Sequence, residues 1–289
     1  STVITTNAQR MVPVNFTATA ACRTANEPVF WAAYASDLQV IDLPGKARAL
    51  VQVTCATKAQ ANELVRQFGG VLKKLARDWQ AKYLAAGRRV PLRIGKRLVV
   101  VTEADPQVKT EQLVIPAAGA FGTGDHATTA MCLRLLEETS RRLPAGWSLL
   151  DAGTGTGILA LAGRRFGAKQ VLGIDNDPRA IAHAQANARL NKIRSTKFVS
   201  LDFLRWKPPQ RYDVITANLF SELLISALPL FQRALQRDGA LILSGILRAQ
   251  GPEVLRALRR SGFDLETQRH RGKWIALRAV AGSHVDASL

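Results

Sequence analysis

The fold of this chain is decided by the stretch LLDAGTGTGILALA, residues 149–162. It joins a short apolar run typical of a buried strand, a glycine-rich turn, and an apolar stretch with helical spacing. Gly153, Gly155 and Gly157 occupy the turn, where glycine permits backbone conformations that other residues avoid. In open parallel sheets, ligands bind at such a turn after the first strand. The stretch therefore predicts an α/β sheet with a ligand cradle at Gly153, Gly155 and Gly157.

The spacing of these glycines narrows the choice of ligand. Dinucleotide-binding loops use GxGxxG to place a pyrophosphate at a helix N-terminus, whereas this loop is GxGxG followed by Ile158. The Lys and Ser/Thr of a phosphate-binding P-loop are missing as well. What remains is a backbone that can approach an uncharged or zwitterionic ligand closely. We therefore expect S-adenosylmethionine as the cofactor, and no metal.

From about residue 128 onward, strand-like and helix-like segments alternate, which predicts right-handed crossovers and a parallel doubly wound sheet. The final segment, DLETQRHRGKWIALRAV, has two strand-like runs around a turn near Gly272 and no helix between them. It predicts an antiparallel hairpin that closes the sheet, as in methyltransferases. The expected fold class is α/β, a seven-stranded Rossmann-like S-adenosylmethionine-dependent methyltransferase fold with a small N-terminal α/β (ferredoxin-like) domain.

Carboxylates near the ends of the predicted strands suggest how the cofactor is held. Asp175 ends the second strand, 22 residues after Gly153, where a carboxylate can accept hydrogen bonds from both ribose hydroxyls. Asp202 ends the third strand and is a candidate for binding the adenine amino group. For both residues the alternative is a plain turn-forming role. Asp151, just before the glycines, either fixes the loop or reaches the methionyl amine.

A second stretch rich in glycine and threonine, FGTGDHATT at residues 121–129, precedes a helix that is predicted to start near Thr128. Its hydroxyls can bind the polar end of a ligand, and its aromatic ring can stack on adenine or on the methionyl chain. His126 is either a capping or packing residue or a catalytic group. The cofactor-binding candidates in this stretch are Phe121, Thr123, Thr128 and Thr129.

The N-terminal part of the chain has a different pattern and a strong positive charge. Residues 1–72 alternate strands with helical stretches, which predicts a small α/β substrate-recognition domain. A basic connector at 73–110 follows, then the methyltransferase catalytic domain at 111–280 and a disordered tail at 281–289. The 289-residue chain has a formal net charge of +18, which favours encounters with a polyanion such as RNA.

Composition restricts the compartment and the kinds of site. No apolar run reaches the roughly 18 residues that a membrane span requires, so no contact with a membrane is expected. Cys22, Cys55 and Cys132 are far apart and show no CxxC spacing. This disfavours a disulfide framework and a zinc site, and it fits a reducing compartment. We expect a cytoplasmic monomer.

Several motifs together resemble a known family: FGTGDHATT, LLDAGTGTGILALA, GIDNDPRAI, ITANL and LILSGIL. They look like those of the PrmA family of bacterial methyltransferases, which act on the eleventh protein of the large ribosomal subunit. The resemblance covers about residues 77–280 and is weak before residue 75. It implies that the upstream glycine loop folds over the cofactor. By position, the implied cofactor contacts are Thr129, Gly153, Asp175 and Asn218.

Asn218 ends the fourth predicted strand, where base-modifying methyltransferases carry [ND]PP[YF]. Here Asn218 is followed by Leu219 and Phe220, without proline. The amide oxygen of Asn218 can orient an amine, but the slot for a flipped base is incomplete. We therefore expect in-line methyl transfer to amino groups of a ribosomal protein, on lysine and at the N-terminus, on or near rRNA. An RNA methyltransferase, another protein-lysine methyltransferase and a non-catalytic ribosome-assembly module are the alternatives.

Overall fold

The computed structural model describes residues 91–116 and 126–282, the backbone of four strands before residue 75, and a few helical residues between 59 and 66. The chain divides into two compact units, Ser1–Gly87 and Arg88–Leu289. The division into a domain, a basic connector, a catalytic domain and a tail remains a prediction, and residues 283–289 of that tail lie outside the described residues.

The first unit contains a four-stranded sheet. Its strands are β1 (Phe16–Arg23), β2 (Leu38–Asp42), β3 (Arg48–Cys55) and β4 (Val71–Lys74). Their order is β2-β3-β1-β4, and every pair is antiparallel. This is the strand order of a ferredoxin-like sheet, in agreement with the predicted type of N-terminal domain.

The second unit begins with a small three-stranded sheet of β5 (Leu92–Ile94), β6 (Leu98–Val101) and β7 (Gln112–Val114). β5 and β6 are antiparallel, and β6 and β7 are parallel. All four residues of β6 are buried. Part of the segment predicted as a basic connector therefore folds as buried strands, because its apolar run LVVV needs to be covered.

The main sheet of the second unit has seven strands. They are β8 (Ser148–Ala152), β9 (Gln170–Asp175), β10 (Thr196–Ser200), β11 (Tyr212–Asn218), β12 (Leu235–Leu247), β13 (Phe263–Arg271) and β14 (Trp274–Ala281). The α-helices of the described residues are α1 (Ala127–Ser140), α2 (Ile158–Arg165), α3 (Pro178–Leu190), α4 (Ser221–Ala234) and α5 (Gly251–Arg260). A short 3₁₀ turn, Arg248–Gln250, precedes α5.

The strand order of the main sheet is β10-β9-β8-β11-β12-β14-β13. β14 is antiparallel to both of its neighbours, and the other adjacent pairs are parallel. The predicted seven-stranded sheet and its closing hairpin are thus confirmed. The order reverses between β8 and β11, which makes the carboxyl ends of these two strands the switch point where ligands bind.

Helices cover both faces of the main sheet, because successive strand residues point to opposite faces. Leu149 of β8 packs in one apolar core with residues of α1, α2 and α3, whereas its neighbour Leu150 packs in a second core with residues of α4 and α5. Both leucines are fully buried. The two cores hold the carboxyl ends of β8, β9 and β11 in place. None of the helices in the described ranges is long and apolar enough to cross a membrane.

Candidate active site

The glycine loop between β8 and α2 has the backbone conformation that its sequence predicts. Gly153, Gly155 and Gly157 have φ values of +71°, +52° and +79°. A β-carbon on Gly153 would lie 2.4 Å from the Leu219 side chain. The Gly153 amide donates a hydrogen bond to the Ile174 carbonyl at 2.8 Å, which ties the loop to β9. Glycine is therefore required here both by φ and by the close approach of Leu219.

Asp151, the carboxylate below the loop, is buried and directed into the protein. Its Oδ1 accepts a hydrogen bond from the Thr216 hydroxyl at 2.7 Å, and its Oδ2 accepts one from the Thr154 hydroxyl at 2.6 Å. The Ala160 amide also donates to Oδ2, at 3.3 Å. Burial raises the pKa of Asp151 to about 6, against the lowering effect of these hydrogen bonds, and the charge of Asp175 adds to the rise. These contacts are what the loop-fixing role requires.

Asp151→Asn is expected to remove part of the pH dependence of stability. The carboxyl pKa is about 6 in the folded protein against an ordinary 3.8, so between these values the folded state binds a proton that the unfolded chain releases. As the pH is lowered from 7 to 4, this group alone should raise the free energy of unfolding of the unaltered protein by up to about 3 kcal/mol. Urea unfolding at both pH values measures the rise.

The control for this prediction is Asp238→Asn, since Asp238 is exposed. The Asp238 variant should follow the pH dependence of the unaltered protein, while the Asp151 variant should show a smaller rise. Equal pH dependence in the Asp151 variant and in the unaltered protein would contradict the raised pKa.

Asp175, at the end of β9, is half-buried and supports the same loop. Its Oδ2 accepts a hydrogen bond from the Gly155 amide at 2.9 Å, and its Oδ1 accepts one from the Asp177 amide at 3.1 Å. Each carboxylate oxygen retains capacity for a further donor. Asp175 thus has the turn-forming contact and is also suited to bind a pair of hydroxyls. Asp177, two residues further on, caps α3: its side chain accepts a hydrogen bond from the Arg179 amide, and Pro178 is the first helical residue.

Asp202 follows the end of β10 and is exposed. Its Oδ1 accepts a hydrogen bond from the Leu204 amide at 3.1 Å, and its Oδ2 lies 3.6 Å from Nε of Arg205. These contacts are those of a surface turn. The proposed contact of Asp202 with adenine stays a prediction.

Asn218, the last residue of β11, is half-buried and faces the start of α1. Its Nδ2 donates a hydrogen bond to Oγ1 of Thr129 at 3.2 Å. Its Oδ1 is shielded from solvent, and within the described ranges no donor reaches it. A buried acceptor without a partner costs about 1–3 kcal/mol, so it calls for an explanation. Within the described ranges, Oδ1 is thus a buried acceptor without a donor.

The backbone after Asn218 is held by a glycine of the neighbouring strand. The Leu219 amide donates a hydrogen bond to the Ser244 carbonyl at 3.0 Å. Gly245 has a φ of +86°, and a β-carbon on it would lie 2.2 Å from the Leu219 carbonyl oxygen. Because Leu219 also packs against Gly153, Gly245 permits the close approach of the two loops. The motif LILSGIL contains this glycine, but its partner is visible only in the fold.

The start of α1 brings two of the predicted threonines to the site. Thr128 and Thr129 are fully buried, and Oγ1 of Thr128 lies 2.7 Å from Nδ1 of His126. The His126 ring meets the Trp274 ring edge-on, with a centroid distance of 4.9 Å. His126 precedes the helix without a capping hydrogen bond from its side chain, and its choice between a packing and a catalytic role stays open. Phe121 and Thr123 lie outside the described residues.

A metal centre finds no support in the part of the chain that the structure describes, where no group of three or more His, Cys, Asp and Glu residues is placed to hold an ion. In the described ranges, the polar side chains near the glycine loop are carboxylates, hydroxyls and amides. They are suited to hydrogen bonding with a polar organic molecule.

Known proteins share this sequence pattern. A model of the family described as ribosomal protein L11 methyltransferase (PrmA) matches residues 23–281. The chain belongs to the PrmA family. This confirms the resemblance seen in the motifs and extends it into the N-terminal unit, whose sequence resembles the family only weakly.

Individual PrmA relatives agree with the family match. The ribosomal protein L11 methyltransferase of Anoxybacillus flavithermus is 36% identical over 193 residues, or 65% of this chain and 61% of that protein. The one from Desulforapulum autotrophicum is 34% identical over 250 residues, or 84% of this chain and 76% of that protein. The crystal structure of a ribosomal protein L11 methylase from Lactobacillus delbrueckii subsp. bulgaricus superposes with a TM-score of 0.60 at 30% identity. It covers 66% of this chain and 98% of that one.

The shared structure confirms the fold class, an S-adenosylmethionine-dependent methyltransferase fold. The match covers less than two thirds of several PrmA relatives: 61% of the Anoxybacillus protein, 60% of the Lacticaseibacillus paracasei protein and 63% of the Heliobacterium modesticaldum protein.

Several residues that shape the site carry no signal in the sequence alone. Thr216 and Leu219 look like ordinary strand and loop residues, and Trp274 looks like one more apolar residue of a hairpin. The strand-ending position of ITANL is a usable sequence signal for Asn218. Nothing local connects Trp274 to His126, which precedes it by more than a hundred residues.

Proposed function

We propose that this PrmA-family chain is an S-adenosylmethionine-dependent protein methyltransferase that acts on amino groups of ribosomal protein L11. The observation that supports this most directly is the buried Oδ1 of Asn218, which has no hydrogen-bond partner among the residues that the structure describes. Such an acceptor can receive an N–H from an amine at the carboxyl edge of the sheet. The names of the family and of its relatives give the substrate class.

The residues present fit S-adenosylmethionine. The positive-φ glycines let the backbone approach the ligand, and the loop from Asp151 to Gly157 contains no cation that would favour a phosphate. Asp175 accepts backbone hydrogen bonds through both oxygens and can accept the two ribose hydroxyls as well. In this proposal Gly153, Gly155 and Gly157 line the cofactor, together with Thr128 and Thr129. Phe121, Thr123 and Asp202 are proposed contacts of the same cofactor, and Asp151 is proposed to serve the cofactor site by fixing the loop.

When bound, S-adenosylmethionine supplies an electrophilic methyl group on a sulfonium sulfur. The protein must align the acceptor amine with that group and exclude water. Asn218 aligns the amine through Oδ1, which accepts a hydrogen bond from one N–H of the amine and so directs the lone pair of the amine nitrogen towards the methyl group. Thr129 is the positioning residue, because its hydrogen bond to Nδ2 holds the amide plane.

The chain needs no strong base for this reaction. A free lysine amine has a pKa of about 10.4, so roughly one molecule in a few thousand is neutral at pH 7. A desolvated pocket and a neighbouring positive charge both favour the neutral amine. The displaced proton leaves to water. Asn218, which has no titrating proton, therefore serves by orientation alone.

The remaining partners follow from the same proposal. The N-terminal unit docks on the ribosomal protein, and the basic segment near residues 73–97 faces rRNA. Since ribosomal proteins are made and assembled in the cytoplasm, we place the reaction there. In the same proposal the protein acts as a monomer and without a metal.

Transfer of tritium from labelled S-adenosylmethionine to L11 is the test. Purified protein is incubated with free L11 and, separately, with large ribosomal subunits. Label is expected in L11, where it should survive RNase and be lost to protease. Mass spectrometry should place the methyl groups on lysine and N-terminal amines.

The outcomes of this experiment separate the alternatives. Label that is lost to RNase would indicate an RNA methyltransferase, and label in a different protein another protein-lysine methyltransferase. No label with either substrate would indicate a non-catalytic assembly module. The matched control is Asp175→Ala, which should bind the cofactor too weakly to label L11 at the same concentration.

A further inference from the structure

A cavity lies between the end of α3 and the start of β10. Its volume is about 410 Å³, and its lining includes Arg189, Lys192 and Arg194 but no carboxylate. Thr196 of β10 pairs with Val171 in β9, at the end of the strands opposite to Asp175. The four-residue offset corresponds to about 13 Å along the sheet. The end of the cavity at Thr196 is therefore separate from the proposed cofactor site, while Phe198 at its other end lies close to Gly157 of the glycine loop.

Lys192 has an unfavourable backbone conformation in this cavity. Its φ of +56° is the only positive φ of a residue other than glycine in the part of the chain that the structure describes. Asn191 is the C-terminal cap of α3, and Lys192 occupies the next position. Glycine is the usual residue at that next position. A side chain in this left-handed region costs about 1 kcal/mol or more relative to glycine. Strain of this kind in a charged residue points to a function for its side chain.

The wall of the cavity also holds an unsatisfied hydroxyl. Oγ1 of Thr196 is shielded from solvent, and within the described ranges it has no hydrogen-bond partner. A buried hydroxyl without a partner is unfavourable by about 1–3 kcal/mol. Because Thr196 lines the same cavity as Arg189, Lys192 and Arg194, the cavity combines three cations with a hydroxyl that has no acceptor within the described ranges.

The helix dipole does not explain all three cations. Arg189 lies in the last turn of α3, where a positive charge interacts favourably with the helix C-terminus. Lys192 and Arg194 follow the end of the helix, and that effect decays within the last turn. All three side chains are exposed, so they are free to converge on one group.

We propose that this cavity binds a phosphate of an RNA strand through Arg189, Lys192, Arg194 and Thr196. Guanidinium, ammonium and hydroxyl groups are the side chains that contact phosphodiesters in RNA complexes. The formal net charge of +18 favours a polyanion over an isolated phosphate. The inference deepens the proposed function, since an L11 substrate on the ribosome lies next to rRNA. Its test measures RNA binding and not methylation, so the two can fail separately.

Fluorescence anisotropy with a labelled single-stranded RNA oligonucleotide at several salt concentrations tests the proposal. The cavity variant combines Arg189→Gln, Lys192→Gly and Arg194→Gln. Its plot of log affinity against log salt should be less steep by about 0.7, because one phosphate contact with a single strand is lost. Lys192→Gly alone should raise the melting temperature or leave it unchanged, since it relieves the strain, and should still weaken RNA binding.

The control variant combines Arg256→Gln, Arg259→Gln and Arg260→Gln on α5, which are exposed and give the same change in charge. It should keep the affinity and salt dependence of the unaltered protein more closely than the cavity variant does. Equal losses in both variants would mean non-specific attraction and overturn the proposal. The proposal also fails if the cavity variant binds RNA normally. It fails too if the variant loses affinity for ATP, measured as a free nucleotide that carries phosphates, and keeps its affinity for RNA. Methylation of free L11 should be unchanged in the cavity variant.

Discussion

Asn218→Ala is expected to lower kcat for methylation of L11 by about 10²- to 10³-fold, the range seen when one positioned hydrogen-bonding group is removed from an active site. The reason is geometric. The amine loses the acceptor at Oδ1 that directs its lone pair, and the buried oxygen is already unpaired within the described residues. Single-turnover methylation measures the chemical step directly, without a contribution from product release.

Thr129 supplies the companion variants for this prediction. Thr129→Val removes the hydroxyl that holds Nδ2 of Asn218 at 3.2 Å, and Thr129→Ser restores it. The valine variant should lose rate in the same direction as Asn218→Ala, and the serine variant should recover most of it. A purely structural role for Thr129 would not give this recovery. Valine keeps the shape of threonine and lacks the hydroxyl, whereas serine keeps the hydroxyl and lacks the methyl group.

Calorimetry with S-adenosylhomocysteine, the demethylated cofactor, distinguishes catalysis from cofactor binding. Asn218→Ala should bind this product within a few-fold of the unaltered protein. A large loss of affinity with an unchanged single-turnover rate would show that Asn218 only holds the cofactor, and the proposed role in orienting the amine would be wrong.

Asp175→Ala is expected to weaken cofactor binding by about 10- to 100-fold, since hydrogen bonds to a charged group contribute about 1.5–3 kcal/mol. The carboxylate is proposed to accept both ribose hydroxyls. It also accepts the Gly155 amide at 2.9 Å, so its removal loosens the loop that the cofactor approaches. Titration calorimetry with S-adenosylhomocysteine measures the change in Kd.

Asp202→Ala is the matched control for Asp175, because both are acids at the ends of adjacent parallel strands. Asp202 is exposed and bound in a surface turn, so its variant should lose less affinity than Asp175→Ala. A melting curve of each variant checks that the fold is intact. A greater loss with Asp202→Ala, or none with Asp175→Ala, would assign the ribose to a different group.

Much of the catalytic fold could be predicted because its signals are local. The glycines of residues 153–157 permit positive φ without strain, and the alternation of strands and helices indicates the parallel sheet. Gly272 between two strand-like runs likewise specifies the hairpin of β13 and β14. The limits of the domains are harder to predict from the sequence than the fold, because charge and burial give different indications. The apolar run at Leu98–Val101 lies within a basic segment and folds as a buried strand.

The sequence by itself determined the sheet, the glycine loop and the placement of acids at the ends of strands, since these depend on the conformational preferences of adjacent residues. Only the tertiary structure decided which groups meet. Thr129 and Asn218 are 89 residues apart, and Thr216 and Asp151 are 65 apart. Their contacts arise because parallel strands bring distant carboxyl ends to one edge, where packing on both faces of the sheet sets distances that local preference does not encode.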